Sequence, residues 1–333
     1  MTEITTQVDV LDLERRVRGV YRDVARRPRD MYHFEMGRAL ADTFSECRAV
    51  FDEADAALEE PLSRLCFDGP EDRLLLTENT QPAILTVSVA AARLLHARGI
   101  EPAFVAGHSL GEYSAHVAAG TLSFADALRV VRRRGLYMQE AVPLGHGAMS
   151  AILGLGAGAV AEACEAASSE VGAVVTPANL NAPGQVVIAG QAAAVGRAGE
   201  IAKARGAKRV IALAVSAPFH CALMRPAQER LEPELRALAA SDPSIPVVAN
   251  VDALPKTTAA SAVDALVQQV SSPVRWEEVV RRLIADGART FVELGPGNVL
   301  SGLIRKIDPA VTAISVGNVQ GLEKALLALR AAG

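Results

Sequence analysis

The stretch Val105–Glu112, VAGHSLGE, places a serine between a short apolar run and the start of a helical pattern. A serine on such a strand-to-helix turn is held at the tip of a sheet, and the glycines beside it let strand and helix approach each other. The positive end of the helix and its free N–H groups stabilise an oxyanion that forms there. The pattern predicts that Ser109 is an acyl-carrying nucleophile.

Helical patterns and short apolar runs alternate through most of the 333 residues, as expected for helices that cover a largely parallel sheet. The predicted helices are Gly37–Leu58, Gln81–Arg98, Phe124–Met138, Ser261–Val270, Trp276–Asp286 and Gly321–Ala332, and further strands are expected at Val247–Ala253 and Thr290–Leu294. We predict an α/β fold: an α/β-hydrolase-like large domain with a mostly parallel sheet, formed by residues 36–144 and 216–333.

Residues 145–215 have a different order of elements. Their apolar periodicity indicates strand, helix, strand, strand, helix, strand, which is the βαββαβ order of ferredoxin-like domains. Asn181–Gly184, NAPG, has the residue types of a turn between the two central strands. The segment is therefore predicted to be an inserted ferredoxin-like small domain.

The first 35 residues differ from both regions. Val10–Arg27 carries apolar residues at helical spacing beside many arginines, which predicts an amphipathic helix. We expect residues 1–35 to be an atypical helical leader that docks on the main body, and a role at a membrane surface or toward a partner is the alternative.

Composition excludes several classes of protein. The net charge is −4 and no basic run is interleaved with aromatic residues, so no nucleic-acid partner is expected. No stretch approaches about 18 uninterrupted apolar residues, so no membrane span is predicted. The 4 cysteines are dispersed without a CxxC pair, which speaks against disulfides and metal sites and favours the cytoplasm.

A serine nucleophile needs a general base. Among the 6 histidines, His220 ranks first because it follows a predicted strand that re-enters the large domain. The residues alone leave the choice open between His220 and the other histidines, which are His33, His96, His108, His116 and His146.

Several motifs in the same order resemble one family. Gly107–Glu112 is similar to the nucleophile motif of malonyl-CoA:acyl carrier protein transacylases and of the acyltransferase domains of polyketide and fatty acid synthases. The further matching segments are Asn79–Ala83, Arg134-Gly135 with Met138-Gln139, Gly147–Met149, Asn179–Gln185, Ser216–His220, Ser272–Trp276 and Glu293–Gly297. The resemblance runs from about Met36 to the C-terminal end.

The resemblance implies a role for each matching residue. Ser109 would take malonyl from the CoA thioester as an ester, and His220 would be its general base. Arg134 would bind the free malonate carboxylate, which agrees with the planar fork that a guanidinium offers to a carboxylate. Gln81 would line the acyl pocket, and the N–H of Leu110 would be one oxyanion donor.

The resemblance also suggests supporting residues. A backbone carbonyl near Ser272–Arg275 is expected to accept from the histidine, with Arg275 at a position where some members carry glutamine. Asn181 is expected beside the substrate. Asn250 is a candidate for support, or alternatively an ordinary turn residue at a strand end. Phe219 is expected to crowd an α-methyl group and so to favour malonyl over methylmalonyl.

One departure from the family lies ahead of Met36. Members open with a hydrophobic strand that runs into a Phe-Pro-Gly-Gln-Gly-Ser-Gln segment, which supplies the second oxyanion N–H; the residues before Met36 do not match it. Loss of one such donor costs on the order of 10²–10³ in rate. We therefore expect reduced activity unless the leader replaces these elements.

These observations lead to one main interpretation and two alternatives. The main one is ping-pong transfer of malonyl from malonyl-CoA to a holo acyl carrier protein, by a monomer that needs no cofactor. A serine acyl hydrolase on the same elbow is the first alternative. The second is an impaired acyltransferase relic that still binds carrier protein.

Overall fold

The computed structural model describes residues 34–143, 145–215 and 217–332. The predicted leader helix Val10–Arg27 lies outside the described residues. None of the described helices is long and apolar enough to cross a membrane.

Helices make up most of the large unit, by which we mean the described elements outside residues 145–215. The helices of this unit are α1 (Phe34–Thr43), α2 (Ser45–Leu58), α3 (Leu62–Asp68), α4 (Glu71–Leu74), α5 (Thr77–His96), α6 (Leu110–Ala118), α7 (Phe124–Glu140), α10 (Arg225–Arg236, after a 3₁₀ turn at Ala222–Met224), α11 (Ala259–Gln269), α12 (Trp276–Ala285), α13 (Val299–Ile307) and α14 (Val319–Ala332). The single helix predicted over Gly37–Leu58 is wrong in one respect, because Phe44 adopts extended backbone and divides it into α1 and α2.

The strands of the large unit form two small sheets. One has the order β1 (Val105–Ala106), β6 (Val247–Val248), β7 (Pro255–Lys256), and the other pairs β8 (Thr290–Leu294) with β9 (Thr312–Val316). The pairs β1–β6 and β8–β9 are parallel, whereas β6–β7 is antiparallel. The strand predicted over Val247–Ala253 is therefore too long: the chain leaves the sheet after Val248 and turns.

Residues of the two sheets contact a common apolar cluster. Phe104, Ala106 and Phe291 all pack on this cluster, which includes buried residues of α12 and α13. Within the described residues, β1 pairs with β6 alone and β8 with β9 alone, so each sheet has an open edge. The strand β8 is only half-buried along its whole length, although a strand inside a helix-covered parallel sheet is normally buried on both faces.

The small unit, residues 145–215, has one continuous four-stranded sheet. Its elements follow the order β2 (Gly147–Leu153), α8 (Ala157–Val171), β3 (Val175–Ala182), β4 (Gln185–Gln191), α9 (Ala192–Ala204) and β5 (Arg209–Ala212). The strand order is β3-β4-β2-β5, and every pairing is antiparallel. The turn expected over four residues is shorter, because β3 continues to Ala182 and only Pro183 and Gly184 connect the two strands.

Candidate active site

Ser109 lies between β1 and α6 in a conformation that side chains rarely adopt, with φ 54° and ψ −108°. A positive φ of this kind is strained for a residue other than glycine and is typical of functional turns. The approach of the two elements requires glycine at position 107, since an added Cβ there would lie 1.9 Å from the carbonyl carbon of Gly111. The local sequence therefore produces the predicted elbow.

The structure brings Ser109 and His220 together from positions 111 residues apart. Ser109 Oγ lies 2.7 Å from His220 Nε2. On the other side of the ring, Nδ1 lies 3.0 Å from the carbonyl oxygen of Gln269. Because a carbonyl only accepts, Nδ1 carries the proton and Nε2 has a free lone pair toward the serine.

The acceptors around the histidine agree in part with the expectation of a carbonyl near Ser272–Arg275. Hydrogen bonding to the backbone of Ser272 does raise the pKa of His220, but less than the bond to Gln269 does. The principal acceptor is the carbonyl of Gln269, the last residue of α11. The reason is that α11 ends directly against the histidine, which leaves a terminal helix carbonyl free to accept.

The surroundings of His220 keep its ring neutral. Burial, and then the nearby Arg134 cation, lower the pKa of His220 to about 3. A neutral imidazole is the form that can accept a proton from Ser109. Among the described residues, the partner of His220 Nδ1 is a backbone carbonyl and not a carboxylate.

Arg134 is buried and directed at the same serine. Its Nη1 donates to Gln81 Oε1 at 2.7 Å, and its Nη2 donates to Gln269 Oε1 at 3.0 Å and to Ser109 Oγ at 3.1 Å. Its Nε has no hydrogen-bond partner within the described part of the chain. A buried guanidinium whose hydrogen bonds go to neutral oxygens can accommodate a carboxylate beside Ser109.

Leu110 and Phe219 are both close to the serine in the chain. Leu110 is the first residue of α6, so its N–H is one of the donors that a helix leaves free at its start. Phe219 is half-buried and packs against the apolar core of both units. Both positions agree with contacts to an acyl group on Ser109.

Asn181 lies near the site but contacts a different residue. Its Oδ1 lies 2.9 Å from His108 Nε2, and the His108 ring meets the edge of Trp276 at 5.7 Å between centroids. The amide of Asn181 therefore joins the small unit to the elbow.

Asn250 fastens the elbow from both sides. Its Oδ1 accepts from the N–H of Ser109 at 2.7 Å, and its Nδ2 donates to the carbonyl oxygen of Gly107 at 2.7 Å. Arg275 supports Asn250 only through its backbone N–H, at 3.0 Å from the Asn250 carbonyl, while its side chain pairs with Glu278. Asn250 therefore supports the elbow and is not only a turn residue at a strand end.

Two further residues of the site were not predicted from the sequence. Gln269 contacts His220, Arg134 and Ser109, and Glu112 accepts from Gln269 Nε2 at 2.8 Å and from the Asn250 N–H at 3.0 Å. Glu112 follows the serine within the motif, which was an available signal, whereas Gln269 had none because it ends an ordinary amphipathic helix. Burial raises the pKa of Glu112 to about 7.

Metal ligation has no support in the part of the chain that the structure describes. Among residues 34–143, 145–215 and 217–332, no group of His, Cys, Asp and Glu side chains could hold a metal ion. All 4 cysteines are buried and free.

Comparison with known proteins agrees with this geometry. A family model described as "acyl transferase domain" matches residues 35–327. A malonyl CoA-acyl carrier protein transacylase of Bacillus subtilis is 48% identical over 295 residues, which covers 89% of this chain and 93% of the relative.

Solved structures give the same result. An acyl carrier protein S-malonyltransferase from Vibrio cholerae superimposes with a TM-score of 0.85 at 46% identity, covering 87% of this chain and 94% of that one. A malonyl-transacylase in complex with its type II PKS acyl-carrier protein superimposes with a TM-score of 0.84 at 45% identity, covering 87% and 93%.

Proposed function

This chain belongs to the acyl transferase domain family, and from that premise we propose that it transfers malonyl from malonyl-CoA to the phosphopantetheine thiol of an acyl carrier protein. The observation that carries the proposal is the position of Ser109 Oγ, 2.7 Å from the histidine Nε2 and 3.1 Å from the arginine Nη2. A base and a group that can bind a carboxylate thus both lie within hydrogen-bond distance of the nucleophilic oxygen.

The first half-reaction loads the serine. His220 Nε2 takes the hydroxyl proton as Ser109 Oγ attacks the thioester carbonyl, and the Leu110 N–H stabilises the oxyanion of the tetrahedral intermediate. Collapse of the intermediate breaks the carbon–sulfur bond, and the protonated histidine returns its proton to the CoA thiolate. Malonyl remains on Ser109 as an ester.

The second half-reaction reverses these roles. His220 removes the proton of the carrier protein's phosphopantetheine thiol, and the thiolate attacks the malonyl ester. The ester bond breaks, and Ser109 regains its hydrogen from the histidine. Each proton that the histidine accepts is returned within the same half-reaction, so no further acid or base is required. We propose that the reaction proceeds without a metal or cofactor.

Selection of malonyl depends on Arg134. Its guanidinium would pair with the free carboxylate of malonyl, whereas acetyl would leave a buried cation without that partner. Phe219 would crowd an α-methyl group and so disfavour methylmalonyl. Asn181 would act on the substrate only indirectly, through His108.

The proposal also includes the architecture of the two units, the location of the protein and its oligomeric state. The βαββαβ order and the strand order β3-β4-β2-β5 support a ferredoxin-like small domain inserted in an α/β-hydrolase-like large domain. Location in the cytoplasm and a monomeric state stay predictions from the sequence.

Intact-mass analysis after incubation with malonyl-CoA tests the proposal. We expect a malonyl adduct on the wild-type chain, none on Ser109→Ala, and loss of the adduct when holo acyl carrier protein is added. Release of free malonate at the same rate without carrier protein would indicate a hydrolase. A folded wild-type chain that never gains the adduct would indicate a relic.

A further inference from the structure

We propose that Glu112 is a positioning residue for acyl-group selection, because its carboxylate fixes the orientation of the Gln269 amide, which in turn holds Arg134. The inference rests on the proposed role of Arg134 as the malonate anchor. It concerns a residue that does not itself contact the acyl group.

The Gln269 amide presents different atoms to its two sides. Its Nε2 donates to Glu112 Oε2 at 2.8 Å and to the Ser109 carbonyl at 2.9 Å, while its Oε1 accepts from Arg134 Nη2 at 3.0 Å. A flipped amide would turn an NH₂ group toward the guanidinium, and two donors would then face each other. Two acceptors keep the amide in its working orientation, the Ser109 carbonyl and Glu112 Oε2, and Glu112 is the one that a side-chain substitution can remove.

The position of Glu112 Oε2 is itself fixed. The side chain is fully buried, and the same oxygen accepts from the backbone N–H of Asn250 at 3.0 Å. One carboxylate oxygen therefore connects the elbow support at Asn250 with the arginine support at Gln269. Gln81 holds the other end of the guanidinium fork at 2.7 Å, so the fork is anchored at two points.

Two substitutions separate the position of this oxygen from the charge of the group. Glu112→Asp keeps a carboxylate but withdraws its oxygens by one carbon–carbon bond. Glu112→Gln removes the charge but keeps an oxygen that can occupy the place of Oε2. A role in positioning predicts that the aspartate variant is impaired and the glutamine variant is not, whereas a role of the charge predicts the reverse.

The readout is the ratio of kcat/KM for malonyl-CoA to that for acetyl-CoA, measured on chains whose thermal unfolding confirms that they are folded. We expect Glu112→Asp to lower this ratio about ten-fold, the effect of one lost hydrogen bond at a buried site. The ratio of Glu112→Gln should stay within about two-fold of wild type, since the hydrogen-bonding oxygen is retained. General loss of stability would affect both substrates and leave the ratio unchanged.

Two controls complete the experiment. Glu293 caps α13 through the N–H groups of Leu300 and Ser301, so Glu293→Asp is a matched change at a half-buried carboxylate and should not move the ratio. In an Arg134→Ala background, Glu112→Asp should have no further effect on the ratio.

The outcomes distinguish the inference from the proposed function. A normal ratio in folded Glu112→Asp, or a ten-fold lower ratio in Glu112→Gln, overturns the inference. If Arg134→Ala keeps the malonyl preference, the proposed role of Arg134 fails instead. Should the aspartate variant not fold, Gln269→Leu takes its place, because it removes the amide that Glu112 orients. It should lower the ratio by a similar factor, and an unchanged ratio in this variant overturns the inference.

Discussion

The sheet of the small unit and the sheets of the large unit differ in the number of paired strands and in burial. In the small unit, β4 is bonded on both sides and is buried over six of its seven residues, Gln185–Gly190. In the large unit, β1 has two residues, β8 is half-buried, and each has an edge without a partner among the described residues.

Despite these open edges, the catalytic geometry in the large unit is intact. The elbow is held by the amide of Asn250, and the histidine and arginine are held by Gln269. These contacts come from loops and helix ends outside the incomplete sheets. The difference between the two regions indicates that hydrogen bonds of buried side chains, more than sheet pairing, position the site.

The prediction with the largest expected effect concerns the segment before Met36. A chain in which a family-type strand and Phe-Pro-Gly-Gln-Gly-Ser-Gln loop precede Met36 should transfer malonyl on the order of 10²-fold faster, because a second oxyanion donor is added. Steady-state transfer to holo acyl carrier protein measures this. Equal rates for the two chains would show that the open edge does not limit catalysis.

A pair of isoleucine substitutions compares the two regions in stability. Ile188→Ala in β4 should cost about 3 kcal/mol of unfolding free energy, since this side chain is fully buried in the small-unit core. Ile314→Ala in half-buried β9 should cost only about 1 kcal/mol. Urea unfolding of both variants provides the values, and equal losses would contradict the contrast between the sheets.

Removal of the elbow support should affect rate more than fold. Asn250→Ala leaves the N–H of Ser109 and the carbonyl of Gly107 without their partner, so we expect acylation to slow about ten-fold. Single-turnover formation of the malonyl ester measures this. Asn318→Ala, at an exposed helix start, is the matched control and should acylate at the wild-type rate.

The smallest effect concerns pH. Because burial and Arg134 lower the pKa of His220 to about 3, the ring stays neutral far into the acidic range. The rate of Ser109 acylation should therefore change less than about two-fold between pH 8 and pH 5. The pKa of Glu112 is about 7, so the profile is also measured on Glu112→Gln. A fall in rate centred near pH 6.5 that persists in this variant would show that the histidine titrates like an exposed one.

Much of this arrangement could be predicted from the amino-acid sequence. The elbow follows from local rules, since a glycine-flanked serine between an apolar run and a helix has few conformations open to it. The βαββαβ order of the small unit follows from apolar periodicity, and Thr290–Leu294 matches β8 residue for residue. Arg134 and His220 were proposed mainly through the family resemblance, because an arginine in a basic run or a histidine after a strand is ambiguous alone.

The remaining features depend on contacts between residues far apart in the chain. Gln269 meets Ser109 across 160 positions and His220 across 49, and no local pattern marks a helix end as the acceptor for a distant ring. The pairing of β1 with β6 and of β8 with β9 also emerges only in three dimensions, since a strand pattern does not specify its neighbours. Local chemistry and periodicity thus define the nucleophile and the elements, while tertiary packing selects which buried donors and acceptors meet around them.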